Sequence, residues 1–561
     1  MAGGLLNLVA SGVQNVILNG NPEKTYWTST YKRYTNFGMQ NFRLDFEGLR
    51  QLSLTTPTTF TFKVKRYADL VMDMWLVVQL PDIYSPILPP VDPQTGEWVP
   101  YEFRWIKNIG AMMVNTINFT VGGALIQSIT GTQMVALANR DLSAEQKAKW
   151  DQAVGNIPEL YDPANAQGRA NIYPNAVYSA LGTEPSIRGR QLYLPIPVWW
   201  ALNSQQAFPL VCLQYNELQV DITLRPIREL FQVRNVLVGP YHYEAPNFNM
   251  AEFKLYRFLQ SPPDASLSFD PNSAVSWNEN IHLSTTYCFL SEEEGEIFAR
   301  SNQNYIVKEL YETTFYNVGT SDKVWLQNST GLVVSWMLMF QRSDVPLRNE
   351  WSNYTTWPYD TLPYQATKLG HRVAASPIAE GYVFSTPDGD IVIEAGTLGY
   401  GLNPNGTLSN LYSSGELSNR KDILVSLGIL LDGSLREETR PAGVFQHQQQ
   451  YLASPGFGAS TLSGLYCYNF CLNTSPFNLQ PSGAINLSKY SKIELEFATI
   501  EPPANPNSAF YTICDADTNA QIGVAKQNTN IYLYTYNLIV LEERFNVLTF
   551  MGGNAALMVA R

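Results

Sequence analysis

The sequence predicts an all-β protein, a sandwich or barrel of antiparallel strands. Three observations predict it: period-two alternation of apolar and polar residues, frequent turn dipeptides, and few helical patterns. Phe42, Leu44 and Phe46 alternate with Arg43, Asp45 and Glu47, and Phe60, Phe62 and Val64 with Thr61, Lys63 and Lys65. Leu218, Val220, Ile222 and Leu224 alternate with Gln219, Asp221, Thr223 and Arg225, and Ile493, Leu495 and Phe497 with Lys492, Glu494 and Glu496. Tyr532, Tyr534 and Tyr536 share one face of a late strand. Antiparallel sheets with one face on a core leave this signature. Asn19-Gly20, Gly122-Gly123, Asp388-Gly389, Asn405-Gly406 and Asp432-Gly433 mark turns between strands. Helices are expected in two places: after a capping-box pattern at Ser143 to Gln146, running to about Val154, and after Ser291 to Glu294.

Composition narrows the function. Charged residues make up 15% of the 561 residues, against roughly 25% in an ordinary soluble domain, while 12% are aromatic. Disorder is excluded by this balance. Lys plus Arg is 37 and Asp plus Glu is 49, a net charge of −12, which argues against direct binding of nucleic acid, since phosphate contacts want a basic face. A surface so poor in charge is one that other protein can cover. The chain has no apolar run long enough to cross a membrane as a helix.

A faint repeat runs through the sequence. Leu202-Asn203-Ser204, Pro209 and then Tyr215, Leu218, Val220 and Ile222 are echoed by Leu472-Asn473-Thr474, Pro481 and then Tyr490, Ile493, Leu495 and Phe497. This reads either as chance between two amphipathic strands or as two tandem copies of one β domain. Under the second reading a seam falls near Gly239-Pro240 and Ala245-Pro246. The organisation expected is an N-terminal arm over 1–24, a first β unit over 25–240, a linker over 241–252, a second unit over 253–540 with an insertion at about 376–421, and a C-terminal segment over 541–561. The arm carries no charged side chain before Pro22, and Leu5, Val9, Val13, Val16 and Ile17 share one helical face, so it needs a surface to dock on, in its own domain or in a neighbour. Long loops at 81–103, 155–187 and 376–421 are the candidate contact regions.

The search for chemistry returns no catalytic, cofactor-binding or metal-binding residues. The four histidines, His242, His282, His371 and His447, are scattered, and no phosphate-binding loop or nucleophile elbow occurs. Glu292, Glu293 and Glu294 suit a helix start, where negative charge is favourable. The five cysteines, Cys212, Cys288, Cys467, Cys471 and Cys514, are too few for a disulfide scaffold and read as buried reduced thiols. Of the N-x-[ST] sequons, Asn405, Asn353 and Asn328 are the candidate glycosylation sites. Trp199-Trp200 and Trp351 with Trp357 fit a core or an interface; they also support a second reading, a carbohydrate-binding or carbohydrate-cleaving β sandwich.

Several separated motifs resemble, in order, the major capsid proteins of nucleocytoplasmic large DNA viruses, the group that includes chlorella viruses and amoeba-infecting giant viruses. They are Met1 to Leu5 and Gly20-Asn21-Pro22; Tyr31-Lys32-Arg33-Tyr34-Thr35-Asn36-Phe37; Leu192 to Trp200 with Pro195 and Pro197; Arg348-Asn349-Glu350-Trp351; and Gln480-Pro481-Ser482-Gly483 with Asn486. The resemblance implies two tandem eight-stranded jelly rolls, a homotrimer forming a pseudo-hexagonal capsomer, and no enzymatic activity. It further implies as partners the neighbouring capsomers and minor capsid and penton proteins, with an inner membrane contacted only indirectly. The location it implies is the outer shell of the virion, assembled in the host cytoplasm, with the insertion at 376–421 on the outward side.

Overall fold

The structure is a computed structural model. It describes residues 13, 16–17, 20–85, 102–169, 172–179, 182–234, 243–250, 253–261, 277–356, 360, 382–386, 389–393, 400–402, 408–410, 422–456, 462–502, 510–514, 521–526 and 534–559. Most of the N-terminal arm, and His242, His371, Tyr532, Trp357 and Asn405, lie outside them.

The alternating segments form the expected strands, and they sort into two units. The first holds β1 (Phe37–Leu44), β2 (Thr58–Val64), β3 (Leu70–Gln79), β4 (Val114–Val121), β5 (Ala124–Thr130), β6 (Gln191–Pro195), β7 (Leu218–Leu224) and β8 (His282–Leu290). The second holds β9 (Gln303–Val318), β10 (Ser321–Trp325), β11 (Leu332–Arg342), β12 (Leu424–Leu431), β13 (Ser434–Pro441), β14 (Leu465–Asn469), β15 (Ile493–Thr499) and β16 (Tyr536–Met551). In the first unit one sheet runs β1-β8-β3-β6 and the other β2-β7-β4-β5; in the second the sheets run β9-β16-β11-β14 and β10-β15-β12-β13. The two orders are identical when strands are counted within each unit. Eight antiparallel strands in two such sheets make a jelly roll, so the half-length repeat is a repeat of architecture.

Local chemistry explains the shared frame. Leu218, Val220, Ile222 and Leu224 are at most 1% exposed, while the other face of β7 is half-exposed and bonds across the sheet, Thr61 Oγ1 donating to Asp221 at 2.8 Å. The turn between the fourth and fifth strands takes two left-handed residues in both units: Gly122 and Gly123 at φ 58° and 83°, Asp432 and Gly433 at 50° and 80°. That backbone matches the twist of a two-residue hairpin and favours Gly, Asn and Asp. Phe60, Phe62, Phe119 and Tyr287 fill the first core, and Trp336, Phe340, Leu427 and Phe497 the second.

Two expectations are corrected. The linker expected at 241–252 lies inside the first unit: β8, at 282–290, pairs with both β1 and β3. Gly239-Pro240 and Ala245-Pro246 punctuate the long connection from β7 to β8, not a domain boundary. The junction is instead helix Glu292–Arg300, between β8 and β9. Likewise 541–561 does not begin a separate segment, because β16 runs unbroken through 540 to Met551, and Asn554–Leu557 folds back onto it.

Three helices of eight residues or more occur among the described residues: α1 (Gly131–Asp141), α2 (Ala144–Val154) and α3 (Glu292–Arg300). The Ser143–Gln146 box caps α2 as expected. At Ser291 the side chain makes no capping bond, though α3 begins there with three glutamates in its first turn. Because neighbouring strands are antiparallel, the connections following the first, third, fifth and seventh strands leave one end of each unit. The long segments 80–113, 131–190, 225–281 and 343–423 all belong to that end. The insertion at 376–421 thus joins the third and fourth strands of its unit, the same position as the 81–103 loop in the first, and includes the hairpins Tyr382–Thr386 with Gly389–Ile393 and Tyr400–Leu402 with Leu408–Asn410.

Candidate functional site

The polar chemistry of the molecule converges on the seam between the two units. Helix α1 follows β5 directly, its start fixed by a capping box in which Thr130 and Gln133 exchange side-chain-to-backbone bonds. It lays Ala136 against the outer face of the second unit's β9-β16-β11-β14 sheet, in a cluster with Leu310, Met337, Met339 and Leu541. At its end Arg140, fully buried, donates to both oxygens of Glu543 on β16 at 2.9 and 3.0 Å, to Asp141, and to Ser335 on β11. Thr474 donates to Asp141 from the second unit at 2.8 Å.

Two carboxylates share one guanidinium here. Burial alone would raise both. Arg140, with Lys308 and the Ser335 hydroxyl, holds Glu543 far below the usual carboxylate range. Asp141 stays raised, because burial and the like charge of Glu543 outweigh its bonds to Arg140 and Thr474. Breaking such a pair leaves an uncompensated buried charge, so the cluster fixes how the units meet. Cys467 lies close by, its thiol pushed up to about 12 by burial. Cys212, Cys288, Cys467 and Cys471 are all free and buried, as expected for reduced thiols.

The structure gives several motif residues work at this seam. Asn349, held at φ 57°, donates to the carbonyls of Arg228 and Phe231 at 2.8 and 2.9 Å. Trp351 donates to the Glu229 carbonyl at 2.9 Å and takes the Arg225 guanidinium over its ring at 4.3 Å. Glu350 between them pairs with Arg104 at 3.1 Å. This motif therefore plugs the second unit into the first at the loop-bearing end. Nearer the other end, Pro197, Trp199 and Leu202 face Ile306, Lys308 and Pro481 across a narrow cleft. Pro195 ends β6 opposite Trp75. Ser482 exchanges bonds with the backbone of Asn473, Gly483 sits at φ 132°, and Asn486 accepts from the Ser488 N–H; these shape the loop that carries Pro481.

Other motif residues are not brought to the seam. Arg33, Tyr34 and Asn36 lie exposed ahead of β1, and Phe37 opens that strand at 48% exposure. Of the sequons, Asn328 is exposed in a turn, whereas Asn353 is 2% exposed with its side-chain oxygen accepting from Thr355, leaving no room for a glycan. Trp199 and Trp200, weighed as sugar platforms, are 4% and 0% exposed and stack edge-on in the core. Among the described residues no group of three or more His, Cys, Asp or Glu could hold a metal ion. The sequence reading missed α1 and Arg140; the Thr130-Gly131-Thr132-Gln133 capping pattern was the available signal for the helix.

Two family models match the chain: "Major capsid protein N-terminus" over residues 25–258 and "Large eukaryotic DNA virus major capsid protein" over 294–556. The chain is 25% identical over 590 residues to a major capsid protein of Phaeocystis pouchetii virus, covering 99% of each. It is 22% identical over 566 residues to that of Paramecium bursaria Chlorella virus 1, covering 100% of each. With that of Chrysochromulina ericina virus it shares 29% identity over 340 residues, 57% of this chain and 54% of that one. Among solved structures, it resembles VP54 of PBCV-1 at TM-score 0.58 and 17% identity, covering 96% of this chain and all of that one. It also resembles the Faustovirus major capsid protein at TM-score 0.59 and 11% identity, covering 96% and 94%.

Proposed function

The chain belongs to the major capsid proteins of large eukaryotic DNA viruses, and from that premise we propose that three copies associate into a pseudo-hexagonal capsomer that tiles the outer shell of the virion. The observation that carries this reading is the pair of jelly rolls with one strand order locked through a buried ion cluster. A rigid chain of two like units supplies six in a trimer, and a heterologous contact closes into a ring under threefold symmetry.

The capsid role is structural, and the relatives matched are structural proteins. Neighbouring capsomers, minor capsid and penton proteins complete the proposed set of partners, and assembly takes place in the host cytoplasm. Net charge of −12 suits a shell that encloses nucleic acid without gripping it. The loop-bearing end, with the 376–421 insertion, is the outward end, and the arm faces inward.

Limited proteolysis of assembled particles tests the orientation. First cuts are expected within 376–421, and first cuts at the short turns 122–123 or 432–433 would reverse it.

A further inference from the structure

At the end opposite the long loops, the second unit holds an open cavity of about 760 Å³. Its walls come from the start of β9, the turn between β10 and β11, the Pro481 loop after β14, and β16 with the tail beyond it. Most of the wall is apolar, from Ile306, Leu332, Pro481, Phe545, Val547 and Met558. Ile306, Leu332, Met558 and Val559 are between 47% and 77% exposed, so apolar surface here faces solvent.

The polar part of the wall is short of one hydrogen bond. Glu309 on β9, which lines the cavity, is 2% exposed. Its Oε2 accepts from the Tyr311 hydroxyl at 2.9 Å and from Asn546 Nδ2 at 3.1 Å, while its Oε1 has no donor. A buried acceptor without a donor is costly and rare in a native fold. The neighbouring donors are committed elsewhere. Asn546 Nδ2 also donates to the Val559 carbonyl at 2.9 Å, and its Oδ1 accepts from the Val559 N–H at 3.2 Å, which straps the C-terminal tail along the cavity. Arg544, beside Glu309 in the strand register, bonds instead to Glu542 and to the Asn328 carbonyl, and stacks over the Tyr311 ring at 4.0 Å.

We propose that this cavity binds an apolar molecule carrying a single hydrogen-bond donor, its body against Leu332, Phe545 and Val547 and its donor on Glu309 Oε1. The volume is that of a ligand site, and such sites pair an apolar lining with a few placed polar groups. The wall selects the body, and the missing donor selects the head group: a carboxylate or phosphate head sets acceptor against acceptor. The bound molecule touches β9, the turn before β11 and the strapped tail together, so it holds the C-terminal end in place. The site lies within one chain and does not depend on how many copies associate.

Fluorescence titration of the full chain with N-phenyl-1-naphthylamine, an apolar probe with a single N–H donor, tests this. The probe is displaced in turn by 1-decanol and by its methyl ether, which lacks the donor. Saturable probe binding is expected, with the alcohol competing at least about tenfold better than the ether. Leu332→Trp, which narrows the cavity from a half-exposed position outside both cores, should weaken probe binding at least about tenfold. Glu309→Gln keeps an oxygen for Tyr311 and Asn546 but puts a donor in place of Oε1, so it should erase the preference for the alcohol. Melting curves of both variants check that they fold. No saturable binding, or binding untouched by Leu332→Trp in a folded variant, overturns the site. Equal displacement by alcohol and ether in the unmodified chain overturns the assignment of Glu309 as the polar contact, and with it the ligand class.

Discussion

The two jelly rolls share a strand order and differ in what lies on one face. Strands β16, β11 and β14 of the second unit are mostly buried on both sides, by their own core and by α1 of the first unit. In the β1-β8-β3-β6 sheet the edge strand β1 keeps most of its residues exposed. The lesson is that a jelly roll's fold is fixed by its inner faces, while its outer faces are free to be assigned to partners. That division suits a chain with so little charge: where the seam does bury charge, Arg140 of α1 pairs with its neighbour Asp141 and with Glu543 on the second unit's β16.

The strongest way to break the asymmetry is to remove the cation. Arg140→Ala should cost about 3–5 kcal/mol, because it strands two buried carboxylates, and should lower the melting temperature read by calorimetry. A loss under about 1 kcal/mol would mean that the cluster does not hold the units together. At the loop-bearing end, Trp351→Ala should cost about 2–3 kcal/mol through lost packing, a lost hydrogen bond and the lost stacking of Arg225. Denaturant titration measures it, with a broadened or split transition expected if the units then unfold separately.

A third prediction uses pH. Glu543 is held below its ordinary value in the folded state, so its contribution is complete above about pH 4.3, the usual glutamate value, and is lost as pH falls through the lower folded value. Glu543→Gln should therefore be less stable than the parent at neutral pH by about 1.5–3 kcal/mol, with the gap closing below about pH 4. A gap independent of pH would assign the loss to packing. The smallest effect is expected on exposed β1: Met39→Ser should change stability by no more than about 0.5 kcal/mol, as read by denaturant titration, because the side chain is 58% exposed.

Much of the fold was legible because its causes are local. Alternation identified β7 and β15 outright, and Gly122-Gly123 and Asp432-Gly433 named the hairpins. The echo of Leu202-Asn203 in Leu472-Asn473 was a true repeat, down to the asparagine turns. What stayed hidden depends on distant partners. Nothing in the run around Arg140 announces Glu543, 403 residues away. The unit boundary was misplaced for a related reason: β8 belongs to the first sheet through pairing with β1 and β3, while the proline and glycine punctuation marks the loop before it. The motif at Asn349 and Trp351 was recognisable by resemblance, but its use, to grip the backbone of residues 228–231, needed the structure.

Sedimentation equilibrium of the purified full-length chain tests the central claim most directly. The account predicts a species of three times 63.0 kDa that persists at micromolar concentration. A monomer of 63.0 kDa under the same conditions, with the seam intact by calorimetry, would contradict it.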